Sequence, residues 1–148
     1  MATKAAMFFA MVVSMYASSV GTAIAGPSDS WAWKYRVLLV FATHDEDPSL
    51  LSQRQQLMGM RPELDDRHMS VIEIIGDKAR SVSGADLGLS GSELKAFVRK
   101  NDARFEVLLL GKDTGIKLRS PAPLAATDIF SLIDTMPMRQ HEMKRAGR

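Results

Sequence analysis

Two runs of this 148-residue chain set imidazole beside carboxylates. His44-Asp45-Glu46-Asp47 offers one borderline nitrogen donor and three carboxylates, a donor set for a hard divalent cation, and Asp65-Asp66-Arg67-His68 repeats the theme. Consecutive side chains point in different directions, so either run needs a special turn to converge on one ion. Acids ahead of a helix also favour its positive end and cap it, which is the alternative reading of the first run, while a solvated turn before a strand is the alternative reading of the second. If the two loops meet in space, His44 and His68 with Asp45 and Asp66 form the best candidate site. A third constellation, Met136, Met138, His141 and Met143, combines thioether and imidazole donors that suit Cu(I). Methionine is also an adaptable filler of cores, so packing competes with copper as the reason for this run.

Other chemistries are excluded by what the chain lacks. With no cysteine there is no disulfide framework, zinc–thiolate site, iron–sulfur cluster or thiol nucleophile, and thiol–disulfide exchange is impossible. Gly111-Lys112 fails as a phosphate loop, because Glu106 stands where the first glycine belongs and Asp113 replaces the magnesium-binding hydroxyl. Lys112 and Asp113 instead read as the polar turn of a hairpin. Ser49, Ser70 and Ser90 have no base at readable spacing, so no catalytic residue is assigned. Nineteen basic residues against seventeen acidic ones leave a net charge of +2, with the two signs interleaved, which gives no footprint for nucleic acid.

The elements that must position these residues follow from hydrophobic patterning. Met1 to Ala25 carries Lys4, an apolar run and the small-residue ending Ala23-Ile24-Ala25, the order of a cleavable secretory signal peptide. The run is too short and too diluted by Ser18, Ser19 and Gly21 for a spanning helix, so no stable membrane anchor is expected after cleavage. Residues 26–30 form a polar leader, residues 31–138 the domain, and residues 139–148 a basic, frayed tail. Trp31 and Trp33 are expected to pack together over one end of the core.

Tyr35–Phe41, Met69–Ile75 and Phe105–Leu110 are short, dense apolar runs that predict buried strands. Asp47-Pro48 predicts a helix start, with Leu50, Leu51, Leu57 and Met58 on one face through about Arg61 and Pro62 ending it. Residues 76–91 read as a long glycine- and serine-rich loop holding a short edge strand near Arg80–Ser83. Ser90 and Glu93 have capping-box spacing ahead of a second helix running to about Asn101. Ile116–Arg119 closes a hairpin with the third run, and Thr127 caps a helix carrying Ile129, Phe130 and Ile133 to Met136. The order β-α-β-α-β-β-α predicts an α/β fold of the thioredoxin-like kind, a three-layer α/β/α sandwich around a mixed sheet of four or five strands.

Several strings carry a resemblance to a known family. Trp33-Lys34-Tyr35-Arg36, Asp47-Pro48 with Gln53, Arg67-His68-Met69, Arg104-Phe105, Leu110-Gly111-Lys112-Asp113, Lys117-Leu118-Arg119 and Ile133-Asp134-Thr135-Met136-Pro137-Met138-Arg139 resemble the bacterial domain of unknown function 4174. A similar domain recurs in animal extracellular matrix proteins with sushi repeats and in a related coiled-coil-domain matrix protein. The resemblance covers roughly Trp31 to Met143 and implies a thioredoxin- or peroxiredoxin-like fold in an exported protein, with no established reaction. The strand–helix junction, where redox relatives place their cysteines, here reads Thr43-His44-Asp45-Glu46-Asp47-Pro48-Ser49.

These readings together describe a periplasmic or secreted binding module without a cofactor. Its expected partner is an envelope or extracellular protein, or a small ligand, held by His44, Asp45, Glu46, Asp47, Lys112 and Asp113. The alternative, copper handling, would use Met136, Met138, His141 and Met143.

Overall fold

The computed structural model describes residues 26–100 and 104–148. The leader Met1–Ala25 and the expected helix end at Asn101 lie outside them. Five strands form one sheet: β1 (Arg36–Ala42), β2 (Met69–Ile75), β3 (Lys78–Ser83), β4 (Glu106–Leu110) and β5 (Ile116–Ser120). Their order across the sheet is β3-β2-β1-β4-β5, with only β1 and β2 parallel. The three apolar runs therefore lie side by side in the middle, and the more polar β3 and β5 take the edges. Such an order, with helices on both faces, is consistent with the thioredoxin-like arrangement.

Every residue of β1 is buried because both faces of the sheet are covered. Alternate side chains of the central strands go to opposite sides. Leu38, Val40, Val107 and Leu109 pack with Leu50, Leu64, Ile129 and Ile133, which come from α1 (Pro48–Leu57), α2 (Arg61–Asp66) and α4 (Ala126–Asp134). Val37, Leu39, Leu108 and Leu110 pack with Leu94 and Val98 of α3 (Gly91–Val98) and with Trp31. Ser90 and Glu93 form the expected capping box. Gly91 lets α3 sit directly on the β2–β3 turn, since a Cβ there would lie 2.5 Å from the Asp77 carbonyl oxygen.

The structure departs from the sequence expectations at several places. Residues 76–83 form a true hairpin, in which the two-residue turn Gly76-Asp77 links β2 to β3. Helix α1 stops at Leu57, and Pro62 lies in the first turn of α2 rather than ending the preceding helix. Leu51 and Met58 face solvent, while Leu50 and Gln53 are buried. Gln53 is accommodated because its amide donates to the Leu124 carbonyl at 3.0 Å and accepts from the Leu124 N–H at 2.8 Å. Thr127 lies inside α4, whose N-cap is Ala125 with no side-chain bond. Trp31 is fully buried, edge-on to Phe97 at 5.2 Å, but Trp33 is 68% exposed, so the two rings do not share a role.

The largest departure is at the C-terminus. Residues 139–148 do not form a free tail: α5 (Pro137–Arg145) follows α4 after two residues, with Pro137 in its first turn and Arg139 buried. None of the described helices is long and apolar enough to cross a membrane.

Candidate functional site

The His44–Asp47 run follows the C-terminal end of β1. Asp47 caps α1 by accepting the Ser49 N–H at 2.8 Å. Asp45 accepts from Arg54 at 2.9 Å, and the same guanidinium grips the buried Glu73 through bonds of 2.9 and 2.8 Å while Arg80 donates to that carboxylate too. Burial opposes the charge on Glu73, but hydrogen bonds from Arg54 and Arg80 outweigh it and hold the carboxyl below its ordinary value. His44 and Glu46 are exposed and approach only to 3.8 Å. Among the described residues, no group of three or more His, Asp or Glu side chains could hold a metal ion.

The two acidic loops do not meet. Parallel pairing puts His68 ahead of Met69, the partner of Arg36, whereas His44 follows Ala42, the partner of Ile75. The loops therefore stand at opposite ends of the sheet, roughly 20 Å apart at ~3.3 Å per strand residue. Antiparallel β4 ends beside Val37, so Lys112 and Asp113 also lie at the His68 end, away from His44. The six residues expected to form one binding surface are split between two ends. Lys112 and Asp113 are the two central residues of the hairpin turn, as expected, but Lys112 is only 7% exposed. Asp113 accepts from Lys117 at 2.7 Å and from the Gly115 N–H at 3.1 Å.

At the His68 end, residues distant in sequence build a charged cluster. Arg36, 1% exposed, donates to the Arg67 carbonyl at 2.8 Å and to both carboxylate oxygens of Glu142 at 3.1 and 3.3 Å. Lys112 donates to Glu142 Oε1 at 2.6 Å. Burial of Glu142 is outweighed by hydrogen bonds from Lys112 and Arg36, so its carboxyl is held below its usual value. One helical turn back, Arg139 reaches Asp66 at 2.6 Å and Asp134 at 3.0 Å. Arg67 also binds Asp134, at 2.7 Å, and lies 4.5 Å over the Phe130 ring. Helix α5 is thus seated on the sheet by ion pairs.

His68 Nδ1 lies 2.7 Å from Lys112 Nζ. An ammonium can only donate, so this nitrogen accepts and the ring carries its proton on Nε2. Burial first, and then the Lys112 charge, push the imidazole below its ordinary pKa. Beside it, Trp33 has φ 65, the left-handed region that bulky residues avoid, and its N–H donates to the Lys112 carbonyl at 2.7 Å. Strain of this kind persists only where surrounding structure imposes it, and such residues concentrate at functional sites.

These groups line an open cavity of about 590 Å³ whose walls include Trp33, His68, Lys112, Met138, His141 and Arg145. A second cavity of about 340 Å³ shares Lys112 and Met138 and is bounded by Lys117, Leu132, Thr135 and Met136. The four residues of the copper reading do not share one cavity: Met138 and His141 line the first, Met136 and Met138 the second, and Met143 neither. Lys112 and Arg145 beside Met138 and His141 also disfavour a cation. Sequence reasoning missed Arg36, Glu142, Trp33 and Arg145. A charge inside the apolar run that becomes β1 was the available signal for Arg36, since a buried guanidinium needs a partner.

The family model for a domain of unknown function, DUF4174, matches residues 27–142, more than three quarters of the chain. The chain belongs to the DUF4174 family. Its DUF4174 region contains the whole sheet and ends at Glu142, inside α5. Among curated proteins, it is 27% identical over 128 residues to the zebrafish (Danio rerio) coiled-coil domain-containing protein 80, an alignment covering 75% of this chain and 15% of that one. It is also 27% identical over 139 residues to the sushi repeat-containing protein SRPX2 of Xenopus laevis, covering 91% of this chain and 30% of that one. The DUF4174 chain therefore spans less than a third of the length of these two relatives. No solved structure matches it.

Proposed function

We propose that this DUF4174 domain is an exported, non-catalytic binding module that takes an acidic segment of a partner protein in the cleft over Lys112. The carrying observation is the exposed, left-handed Trp33 at the rim of a cavity lined by His68, Lys112, His141 and Arg145. Across both cavities four cations, Arg36, Lys112, Lys117 and Arg145, stand against two carboxylates, Asp113 and Glu142. Glu142 engages Arg36 and Lys112, and Asp113 engages Lys117, so two carboxylates do not balance the four cations and the exposed Arg145 is left for a guest. Trp33 adds a flat apolar surface at low ordering cost, as aromatic anchors do at interfaces. Export is supported by the leader-like Met1–Ala25 and agrees with a chain free of cysteine.

The test is fluorescence anisotropy with a fluorescein-labelled hexaglutamate peptide. Binding that weakens with salt and falls about tenfold or more in Arg145→Glu supports the reading, because charge reversal replaces attraction by repulsion. Binding unchanged in that variant, or no binding by the parent protein, ends it. Export is tested separately by fusing residues 1–30 to alkaline phosphatase. Cytoplasmic retention of the fusion removes that part of the proposal.

A further inference from the structure

Helices α1 and α2 do not cover their face of the sheet as far as β3. Between the end of α1 and that strand lie two open grooves of about 410 and 180 Å³, which share Leu57, Val71 and Val82 and so form one trough. Val40 and Val71 of the core make its floor, and Leu57 and Leu64 its helical wall. Met58 and Val82, each at least half exposed, stand at its rim. Val82 is there because β3 bulges: Val71 pairs with Ser83 and Ile72 with Ser81, so Val82 is the extra residue.

The two ends of the trough differ. In the wider groove Gln53 is bound to the Leu124 backbone, and Arg54 and Arg80 are both bound to Glu73, with half-buried Ser81 beside them. The narrower groove holds Arg61 and Ser83. Arg61 meets Asp65 through Nε alone, at 2.9 and 3.0 Å, so its two terminal amino groups have no partner among the described residues. The Ser83 hydroxyl is buried, and it too has no hydrogen-bond partner among the described residues. A polar group left in that state is costly, and a guest's oxygen would satisfy it.

We infer that this trough is a second binding site, separate from the Lys112 cleft, for a small amphiphile: a monocarboxylic acid on an unbranched alkyl chain of medium length. The carboxylate meets the unengaged amino groups of Arg61 and accepts from the Ser83 hydroxyl, while the chain lies along Leu57, Val71 and Val82 toward Val40. A planar carboxylate matches the guanidinium fork. A hydrocarbon tail asks for no hydrogen bonds, which suits a wider end whose charged side chains are already paired with one another. A peptide strand added to β3 fits less well, since the bulge and the cations Lys78 and Arg80 blunt that edge.

Methyl NMR of the full chain titrated with monomeric sodium decanoate is the test. The resonances of Leu57, Val71 and Val82 should shift, and hexanoate should bind at least about tenfold more weakly, since each buried methylene is worth about fourfold in affinity. Arg61→Gln should weaken decanoate about tenfold while leaving decanol, which has the same chain and no charge, within about twofold. The decanol arm also reports whether the trough of that variant is intact. Ser83→Ala, which removes an unpaired hydroxyl, should weaken decanoate with no loss of stability in urea. No shifts at these methyls, or shifts only around Met138 in the Lys112 cleft, overturn the trough as the site. Equal affinity for decanoate and hexanoate overturns the alkyl chain, and decanoate binding unchanged in Arg61→Gln overturns the carboxylate head.

Discussion

Arg36 at the start of β1 and Glu142 in α5 are 106 residues apart and meet through two hydrogen bonds of 3.1 and 3.3 Å, with the guanidinium 1% exposed. The pair ties the last helix to the central strand. Lys112 joins the same carboxylate from the end of β4, so one glutamate serves two buried cations from different parts of the chain.

Removing that carboxylate strands both cations. Glu142→Ala should lower stability by about 3–5 kcal/mol, the range for breaking a buried pair and leaving charge uncompensated. Asp65→Ala, which breaks the exposed Arg61–Asp65 pair of α2, should cost no more than about 0.5 kcal/mol. Urea unfolding of both variants checks the contrast. Equal effects would show that burial does not govern these pairs.

Acid should weaken the fold in two stages. Folding holds the imidazole of His68 below its ordinary 6.5, so the unfolded chain takes up the proton first. The stability this contributes is complete above the unfolded value and is lost as pH falls through the folded one. Glu142, Asp134 and Asp66 are also held below their ordinary values of 4.5, 3.8 and 3.8, so their share is lost only in stronger acid. In His68→Asn an amide accepts from Lys112 without titrating, and asparagine tolerates the residue's φ of 49. Thermal melts from pH 7.5 to 5 should slope downward in the parent and flatten in the variant.

Among His44, Glu46 and Asp47, Asp47 is the stability determinant. Asp47→Ala removes the α1 cap and should cost about 1 kcal/mol. His44→Ala and Glu46→Ala, altering exposed side chains, should stay within about 0.5 kcal/mol. Chemical denaturation of the three variants tests this order. A large loss in Glu46→Ala would reveal a partner that its exposure does not indicate.

Trp33→Gly should separate stability from binding. Glycine adopts positive φ without the steric cost that tryptophan bears there, and little burial is lost from a ring 68% exposed. Stability should hold or rise by up to about 1 kcal/mol, while hexaglutamate binding weakens. A clear loss of stability would mean that Trp33 anchors the fold rather than a guest.

The sheet was largely legible in the sequence. Tyr35–Phe41, Met69–Ile75 and Phe105–Leu110 are too short for helices and too apolar for an edge, so they had to be central strands. Ser90 and Glu93 marked α3 because a capping box is a local bargain between adjacent backbone groups. The turn at Gly76-Asp77 was hidden among neighbouring glycines and serines. Leu51 and Met58 were misplaced because buried Gln53 took a position that hydrophobicity alone would deny it; only the Leu124 backbone, 71 residues away, makes that burial tolerable.

The sequence by itself determined what depends on neighbours along the chain: the alternation and density of the strands, the caps of α1 and α3, and the absence of any thiol chemistry. Only the tertiary structure decided the site. Parallel pairing of β1 and β2 sent His44 and His68 to opposite ends, and α5 brought Glu142 back to Arg36 and Lys112 and Arg139 back to Asp66 and Asp134. The physical reason is that a charge is written into the sequence as a residue type, whereas its burial and its partner depend on which distant elements fold against it.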